Sequence, residues 1–197
     1  MFELALTFFL VANPIGNSPA MISLVKDFDF RKQKIILFRE AIFALIIALF
    51  FQYFGEVFLG RLHIELYAVT IAGGILLTFV ALGMIFTSEP PEKINANEVK
   101  QEPFIVPIAT PIISGPGLLA IIMVNASRLG DNFKISMAIL IAWIGVILVL
   151  TTAPYLQKIL KKRGLIALEQ VMGMILAMIS FEMIVSGSSM FIKALHN

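Results

Sequence analysis

The sequence contains no cysteine and few charged residues, and each shortage excludes a class of protein. Without cysteine, disulfide bonds and thiolate metal sites are excluded. Charged residues make up only 14% of the 197 residues, hydrophobic residues make up 59%, and the mean hydropathy is +0.93. A soluble domain has about 25% charged residues. This chain has too few polar groups to cover a globular surface in water, so its surroundings are predicted to be lipid.

Two further function classes lack the residues that they need. The net charge is only +2 and the basic residues fall in short loops, so no nucleic-acid partner is expected. The two histidines, His63 and His196, lie in predicted loops or chain ends, which leaves no buried base to activate a serine nucleophile. A Gly-rich phosphate loop with its lysine is also missing. We therefore expect no enzymatic activity and no cofactor.

Apolar segments recur at the length that a bilayer requires. A membrane helix needs about 20 apolar residues, and six segments fit, at residues 2–25, 35–59, 66–87, 104–127, 135–159 and 168–192. The sequence therefore predicts an all-α polytopic membrane protein with six transmembrane helices. The polar stretch at residues 88–102 is predicted to be a cytoplasmic linker between a first three-helix repeat, residues 1–87, and a second one, residues 103–197.

Two stretches with paired prolines resemble each other at an offset of 97 residues. Pro14 and Pro19 occupy the first stretch, and Pro111 and Pro116 occupy the second, with glycine and small hydrogen-bonding residues between them. Proline lacks the N–H donor and clashes with the preceding helical turn. The sequence therefore predicts that helices 1 and 4 are broken inside the membrane.

A second similarity aligns residues 73–76 with residues 173–176 and supports an internal duplication. Each unit has three predicted spans, and an odd number of spans places the second copy in the membrane in the opposite orientation. The sequence therefore predicts an inverted repeat. The glycines within this similarity, Gly73, Gly74 and Gly173, are interpreted as positions of close helix packing.

Lysine and arginine are distributed unequally between the two predicted faces. The loops after spans one, three and five, with the adjoining span ends, carry eleven of them: Lys26, Arg31, Lys32, Lys34, Arg39, Lys93, Lys100, Lys158, Lys161, Lys162 and Arg163. The opposite face carries four: Arg61, Arg128, Lys134 and Lys193. The positive-inside rule predicts both termini outside the cytoplasm. In a rival topology, the two breaks are re-entrant and only four spans cross the membrane. The lysines and arginines are then divided less unequally between the two faces, ten against five.

The two breaks offer hydrogen-bonding groups but no ionisable side chain. Irregular backbone near the bilayer midplane is tolerated only where it is buried in protein or lines a wet cavity. Ser18 before Pro19 and Gly115 before Pro116 are predicted to cap the helices that begin after the breaks. The positive end of each of these helices would point at an anion such as a carboxylate. We predict a substrate site formed by Asn13, Gly16, Asn17, Ser18, Thr110, Ser114, Gly115 and Gly117. The alternative is a pair of proline kinks whose polar groups are satisfied by neighbouring helices.

Acidic residues inside the predicted spans are scarce, and Glu182 lies near the middle of the sixth. An ionisable group at that depth is functional by default, so Glu182 is a candidate for proton coupling or for a hydrogen bond to a polar group such as Asn125. The alternative is a protonated glutamic acid with a structural role. Arg39 and Glu40 are interpreted as interfacial residues whose side chains extend to the headgroups. No metal ligands are predicted.

The motif residues resemble those of the MarC family, also called UPF0056-type membrane proteins. The resemblance lies in residues 13–19, the basic residues 31–34, the run 71–77 and the second motif at 110–117. It covers essentially the whole chain and implies a six-span inner-membrane protein built from inverted three-helix repeats. An archaeal relative is regarded as a transporter of small neutral amino acids. The acidic, proline-bearing linker departs from the family's pattern.

The residues and the resemblance together predict a secondary transporter or exporter of a small polar solute, such as a neutral amino acid, that works by alternating access. Its expected partners are the lipid bilayer and that solute, and its oligomeric state is left open. Two alternatives remain. One is a non-transporting scaffold or regulatory subunit, and the other is an ion or metal exporter.

Overall fold

A computed structural model describes residues 1–86 and 112–196, and within these residues the structure is entirely helical. The helices are α1 (Phe2–Ala12), α2 (Ser18–Val25), α3 (Phe30–Arg61), α4 (Leu66–Phe86), α5 (Pro116–Leu129) and α6 (Asn132–Leu195). The predicted all-α class is therefore confirmed for this part of the chain. The predicted linker at residues 88–102 lies outside the described residues.

The first predicted span is two helices rather than one. α1 ends at Asn13, whose backbone is left-handed (φ 48°, ψ 50°) and whose N–H donates to the carbonyl oxygen of Phe9. Pro14 follows and has no N–H to continue the helix. α2 then begins at Ser18 with Pro19 in its first turn, where a backbone N–H has no helical partner in any case. The break predicted in helix 1 is confirmed.

Four helical segments are long and apolar enough to cross a membrane: Phe30–Arg61, Leu66–Phe86, Asn132–Tyr155 and Arg163–Leu195. They match predicted spans two, three, five and six to within five residues at every end. α1 and α5 are shorter apolar helices. Many large apolar side chains on the outside of the bundle are exposed, as a lipid-facing surface requires; examples are Phe79, Ile144 and Phe181.

The first half of α6 (Asn132–Tyr155) packs antiparallel to α3. Gln52, near the end of α3, donates to the Ser136 hydroxyl at 2.9 Å, close to the start of α6. Lys34, near the start of α3, donates to the Tyr155 hydroxyl at 2.8 Å, at the end of this half. The two segments therefore run side by side in opposite directions.

The second half of α6 (Arg163–Leu195) packs antiparallel to α4 in the same way. The rings of Tyr67 and Phe191 lie with their centroids 5.2 Å apart, joining the start of α4 to the end of α6. At the other end, Gln170 donates to the carbonyl oxygen of Ile85 at 3.3 Å. Each half of α6 thus has its own antiparallel partner.

α6 reverses direction between these halves. Arg61 and Leu66, which end α3 and begin α4, are five residues apart and can be separated by at most about 18 Å. A straight helix of 64 residues would be about 96 Å long and would hold its two partners much farther apart. The chain must therefore turn back beyond Pro154, which interrupts the hydrogen-bond ladder. The sequence predicts a gap between spans at residues 160–167, and this gap is corrected to helix.

The two ends of the bundle differ in charge. We call the end that holds residues 62–65 and 130–131 the hairpin end. The opposite end is the basic end, and its exposed and half-buried cations are Lys26, Arg31, Lys32, Lys34 and Arg163. Phe86 ends α4 at the basic end, whereas the carbonyl oxygen of Asn132 accepts from Gln52 at the hairpin end, at 2.8 Å. The chain between them therefore passes from one end of the bundle to the other.

Glycines let α4 approach α6 and α5 closely. A β-carbon on Gly74 would lie 2.9 Å from the carbonyl oxygen of Ser180, and one on Gly173 would lie 3.1 Å from a main-chain oxygen of α4. A β-carbon on Gly73 would lie 2.5 Å from Ala120 of α5. Backbone atoms at such distances cannot move aside without shifting a helix. The predicted role of these glycines in close helix packing is confirmed.

Glu40 is buried, so its predicted interfacial position is wrong. Its side chain is 0% exposed, and its Oε1 accepts from the Arg39 guanidinium at 2.9 Å. The Arg39 side chain is itself only 31% exposed. Hydropathy along α3 could not reveal this, because it does not tell which side of a helix faces protein and which faces lipid. The carboxylate is held inside the bundle beside a cation, which offsets the cost of its burial.

Candidate functional site

Asn13 is at the centre of the first break. It is completely buried, its Oδ1 accepts from the N–H of Gly16 at 3.1 Å, and its Nδ2 lies 3.1 Å from the sulfur of Met84 in α4. Asparagine is one of the few residues that adopts the left-handed conformation readily, because its short amide bonds to nearby backbone. Asn13 therefore ends α1 and holds the turn that follows.

The other predicted residues of the first break are bonded or packed within the protein. The Ser18 hydroxyl is buried and donates to the carbonyl oxygen of Ile15 at 2.7 Å. Gly16 is so close to Met84 and Asn13 that a β-carbon would overlap both side chains. Ser18 was predicted to cap the second helix, and this is wrong: Ser18 occupies the first helical position, and the residue before it is the N-cap.

The second predicted break is described only from Ile112 onward, and we use the name second break for residues 112–117. The predicted site residue Thr110 and the half-helix expected before this break lie outside the described residues, so the break predicted in helix 4 stays a prediction. Ser114 is buried, and its hydroxyl donates to the carbonyl oxygen of Ala44 in α3 at 2.8 Å. This bond ties the second break to a helix of the first half of the chain. It also satisfies the only polar group on the Ser114 side chain.

α5 begins as its sequence predicts. Gly115 is the N-cap with an extended backbone (φ −72°, ψ 164°), and Pro116 is the first helical residue. Gly117 follows and packs on α4, where a β-carbon would lie 3.1 Å from Cδ1 of Leu77. The small residues around this proline therefore allow the start of α5 to sit directly against α4.

The two breaks touch each other through Asn17. Its Nδ2 donates to the carbonyl oxygen of Ile112 at 3.1 Å and lies 3.4 Å from the carbonyl oxygen of Ala12. The bond to Ile112 joins residues 95 positions apart in the sequence. One side-chain amide thus bridges the backbone of both breaks, and the structure brings the two halves of the predicted site together at this point.

Some backbone donors at the two helix starts have no acceptor among residues 1–86 and 112–196. Among the described residues, no acceptor is in range of the N–H of Ala20 in α2 or of Gly117 and Leu118 in α5. A helix N-terminus carries roughly half a positive charge. Unpaired N–H groups at such a terminus are the usual donors to a carboxylate or phosphate. Both breaks can therefore offer hydrogen bonds to an anion.

A groove of about 470 Å³ lies apart from the break residues, between α1, α4, α5 and the second half of α6. Its inner wall is apolar, and six polar side chains reach it. They are Thr7, Thr70, Asn125, Arg128, Glu182 and Ser186. Of the residues predicted as functional, Glu182 lies in this groove, while none of the predicted substrate-binding residues does. The residues predicted as functional therefore lie at two separate places, the substrate-binding set at the breaks and Glu182 in the groove.

Sequence reasoning missed the role of Arg128 in this groove. Its position near the end of an apolar segment is typical of a loop charge. A helical signal was present, because Arg128 follows Asn125 by three residues and so shares its face of α5. Which part of α6 this face meets depends on how the two helices dock, and the sequence does not contain that information locally.

A known family of membrane proteins matches this chain, whose first predicted span is broken and whose outer surface is apolar. The family model described as "MarC family integral membrane protein" matches residues 1–192. The chain belongs to the MarC family. It is therefore an integral membrane protein, and both breaks and all polar groove residues lie within the MarC-matching region.

Relatives within the MarC family resemble this chain over nearly its full length. UPF0056 membrane protein BU449 of Buchnera aphidicola subsp. Acyrthosiphon pisum is 35% identical over 187 residues, covering 93% of each chain. UPF0056 inner membrane protein YhgN of Escherichia coli K12 is 33% identical over 190 residues, covering 96% of each. A UPF0056 membrane protein of Chlamydia trachomatis is 34% identical over 181 residues, covering 91% of this chain and 88% of the relative. No solved structure matches the chain.

Proposed function

We propose that this MarC protein is a secondary transporter or exporter of a small polar solute, such as a neutral amino acid. The observation that carries the proposal is the contact between the two breaks. Asn17 joins them at 3.1 Å, inside a bundle whose outer surface is apolar. Discontinuous helices that meet between the halves of a membrane bundle are the usual place where transporters bind their substrates. We assign no catalytic residue, because the proposed activity moves a solute and changes no bond in it.

The helix pairing supports an alternating-access mechanism between two inverted repeats. α3 and the first half of α6 are the second spans of the two predicted repeats, and they pack antiparallel. α4 and the second half of α6 are the third spans, and they also pack antiparallel. Corresponding spans pair in antiparallel fashion when the two repeats are related by a two-fold axis that lies in the plane of the membrane. In such a protein the two halves rock against each other around a central site.

The chemistry of the breaks favours a carboxylate-bearing solute. The N–H groups of Gly117 and Leu118, which have no acceptor in the described part of the chain, and the positive end of α5 can receive a carboxylate. The neutral amides of Asn13 and Asn17 can hydrogen-bond the remaining polar groups. A bare cation would find no anionic side chain among the described break residues. The breaks therefore suit a small zwitterion better than a metal ion.

A non-transporting scaffold or regulatory subunit is the second candidate, and one observation favours it. In the breaks, the side chains of Asn13, Ser18 and Ser114 all bond to protein atoms, as a purely structural kink would require. An ion or metal exporter has less support. In residues 1–86 and 112–196, no group of three or more His, Cys, Asp or Glu side chains could hold a metal ion.

The proposed topology predicts that the hairpin end faces away from the cytoplasm. The chain has no cysteine, so single cysteines can be introduced at Asp131 and at Arg163 without background labelling. In intact cells, an impermeant maleimide should label Asp131→Cys and should not label Arg163→Cys until the membrane is opened. The basic end carries most of the lysines and arginines, which the cytoplasmic face retains. The re-entrant alternative predicts the reverse, with Arg163→Cys labelled from outside and Asp131→Cys protected, because Asn132–Tyr155 still crosses the membrane between the two sites.

Uptake by reconstituted protein tests the transport proposal directly. The full chain in proteoliposomes is expected to take up at least one radiolabelled neutral amino acid from a panel, with saturation kinetics, and to respond to an imposed proton gradient if Glu182 couples protons. Protein-free liposomes provide the baseline, and the Asn17→Ala variant described below provides the matched control. Absence of saturable uptake for every member of the panel, with and without a gradient, would favour the scaffold candidate.

A further inference from the structure

The polar end of the groove carries two charges of opposite sign. Arg128 lies in the last turn of α5, and Glu182 lies on α6, one helical turn from Ser186. Both side chains are exposed to the groove rather than packed in the core. Thr7, from α1, closes the third side. The two charges are therefore accessible from one open space.

Neither charge is neutralised by the described part of the protein. The Arg128 guanidinium donates to two uncharged acceptors, the Ser186 hydroxyl at 3.2 Å and the Met190 sulfur at 2.6 Å. Glu182 makes no hydrogen bond or ion pair with another described residue. Glu182 is 13 residues from the end of α6, or about 20 Å along the helix axis. A carboxylate at that depth is costly unless it is paired, so a groove occupant that pairs with it would be stabilised.

We propose that this groove binds the zwitterionic solute before it reaches the breaks, with Arg128 holding the carboxylate and Glu182 holding the ammonium group. The inference rests on the proposed function and names the substrate class as an α-amino acid with an uncharged side chain. Arginine binds carboxylates well because its planar fork offers two parallel donors. Asn125, Ser186 and Thr7 supply neutral hydrogen-bonding groups around these charges.

The size of the groove agrees with such an occupant. Its volume is about 470 Å³, within the range of roughly 300–1,000 Å³ that small-molecule sites occupy. Part of the groove wall is formed by apolar residues, including Met178 and Ile179, which lie one helical turn from Glu182 on α6. A small aliphatic side chain would lie against this wall, whereas a second buried charge would find no partner there among the lining residues.

The groove leads towards the second break. Ile121 lines the groove and follows Gly117, at the start of α5, by four residues, which is about 6 Å along the helix. Met183 also lines the groove, and its Cε would lie 3.1 Å from a β-carbon on Gly73, which in turn lies beside Gly117. Ile121 and Met183 therefore stand between the groove and the break. A solute in the groove would have to pass these two side chains to reach the N-terminus of α5.

A cysteine reporter can measure occupancy of the groove without transport. In the full-length Thr7→Cys protein, reconstituted in phosphatidylglycerol vesicles, a small maleimide should react at a rate that the occupant slows. Glycine, L-alanine and L-leucine are the zwitterionic probes, ethylamine lacks the carboxylate, and propionate lacks the ammonium group. At a concentration about ten times its dissociation constant, at least one zwitterion should slow labelling about tenfold, because only about a tenth of the sites then remain free. The single-charge compounds should not slow it.

Charge variants then identify the groups that hold the solute. Arg128→Gln and Glu182→Gln, each combined with Thr7→Cys, should abolish protection, and Arg128→Lys should retain part of it because a cation remains. Arg61→Gln and Glu65→Gln remove exposed charges at the same hairpin end and should leave protection unchanged. A monodisperse profile in size-exclusion chromatography checks that each variant is folded. Full protection in both glutamine variants would overturn the proposal.

Two other occupants give distinguishable results. If phosphatidylethanolamine in the vesicles slows labelling without any solute, a lipid headgroup fills the groove and the proposal is overturned. Protection by propionate or ethylamine alone, or by no zwitterion, overturns it as well. The transport proposal fails separately: protection without uptake leaves the groove site standing and removes the transporter, whereas uptake without protection removes the groove site and keeps the transporter.

Discussion

Replacing Gly74 by valine is expected to destabilise the folded protein by about 3 kcal/mol, the upper part of the range for overpacking a close contact. Even a single β-carbon there would lie 2.9 Å from the main-chain oxygen of Ser180 and 2.8 Å from Cγ1 of Ile184. Valine adds two further methyl groups, and the Ser180 oxygen belongs to a helix that cannot shift alone. α4 and the second half of α6 would have to separate.

The measurement is thermal unfolding of the detergent-solubilised protein, followed by loss of the monodisperse chromatographic peak. A loss of about 3 kcal/mol corresponds to a fall of roughly 10 °C for a chain of this size. Gly83→Val is the matched control, because Gly83 is in the same helix, is exposed, and would have no atom within 4 Å of an added β-carbon. Equal melting temperatures for the two variants would contradict the close α4–α6 contact at Gly74.

Replacing Asn17 by alanine is expected to lower solute uptake at least about tenfold while changing stability little. A hydrogen bond to a charged group contributes about 1.5–3 kcal/mol, and every 1.4 kcal/mol is a tenfold change. Asn17 Nδ2 donates to the carbonyl oxygens of Ala12 and Ile112 at 3.4 and 3.1 Å. The same amide can donate to a solute carboxylate in place of one of these oxygens. The half-buried bridge itself is a neutral pair, with a net contribution near 1 kcal/mol.

The readout is the initial rate of uptake in proteoliposomes, set against the melting temperature of the same preparation. Gln33→Ala is the control variant. Gln33 also uses a half-buried side-chain amide to bond a carbonyl oxygen, that of Phe28 at 2.9 Å, but it lies at the basic end and outside both breaks. Uptake by Asn17→Ala at the rate of the natural protein would favour the interpretation of the breaks as packing devices.

Local chemistry made several features predictable. Pro14 has no N–H to continue α1, and Pro19 suits the first turn of a helix, so the first break and, to within one residue, the start of α2 follow from the residue types alone. The close packing of Gly73 and Gly74 also follows, because glycine inside a membrane helix usually marks a close approach of another backbone. Neither inference needs to know which helix is the neighbour.

Two features that sequence reasoning misplaced or missed depend on how separate helices dock. From the sequence, Glu40 is interpreted as an interfacial residue. Its burial beside Arg39 arises only when α3 is docked in the bundle. From the sequence, Arg128 is interpreted as a loop charge. Its hydrogen bond to Ser186, and the groove that it shares with Glu182, form only when α5 and α6 are packed together. Hydropathy records how apolar a helix is, and it does not record which face meets protein.

The sequence by itself determined that this protein lies in a membrane, where most of its helices begin and end, and where the first of them breaks. These properties arise from the composition and from backbone chemistry within a few residues. Only the tertiary structure decided that Asn17 bonds to Ile112 across the two breaks, and that the open groove holds Arg128 and Glu182 rather than the break residues. The reason is that the lateral docking of helices is set by complementary shapes on separate segments, and no single segment specifies its partner.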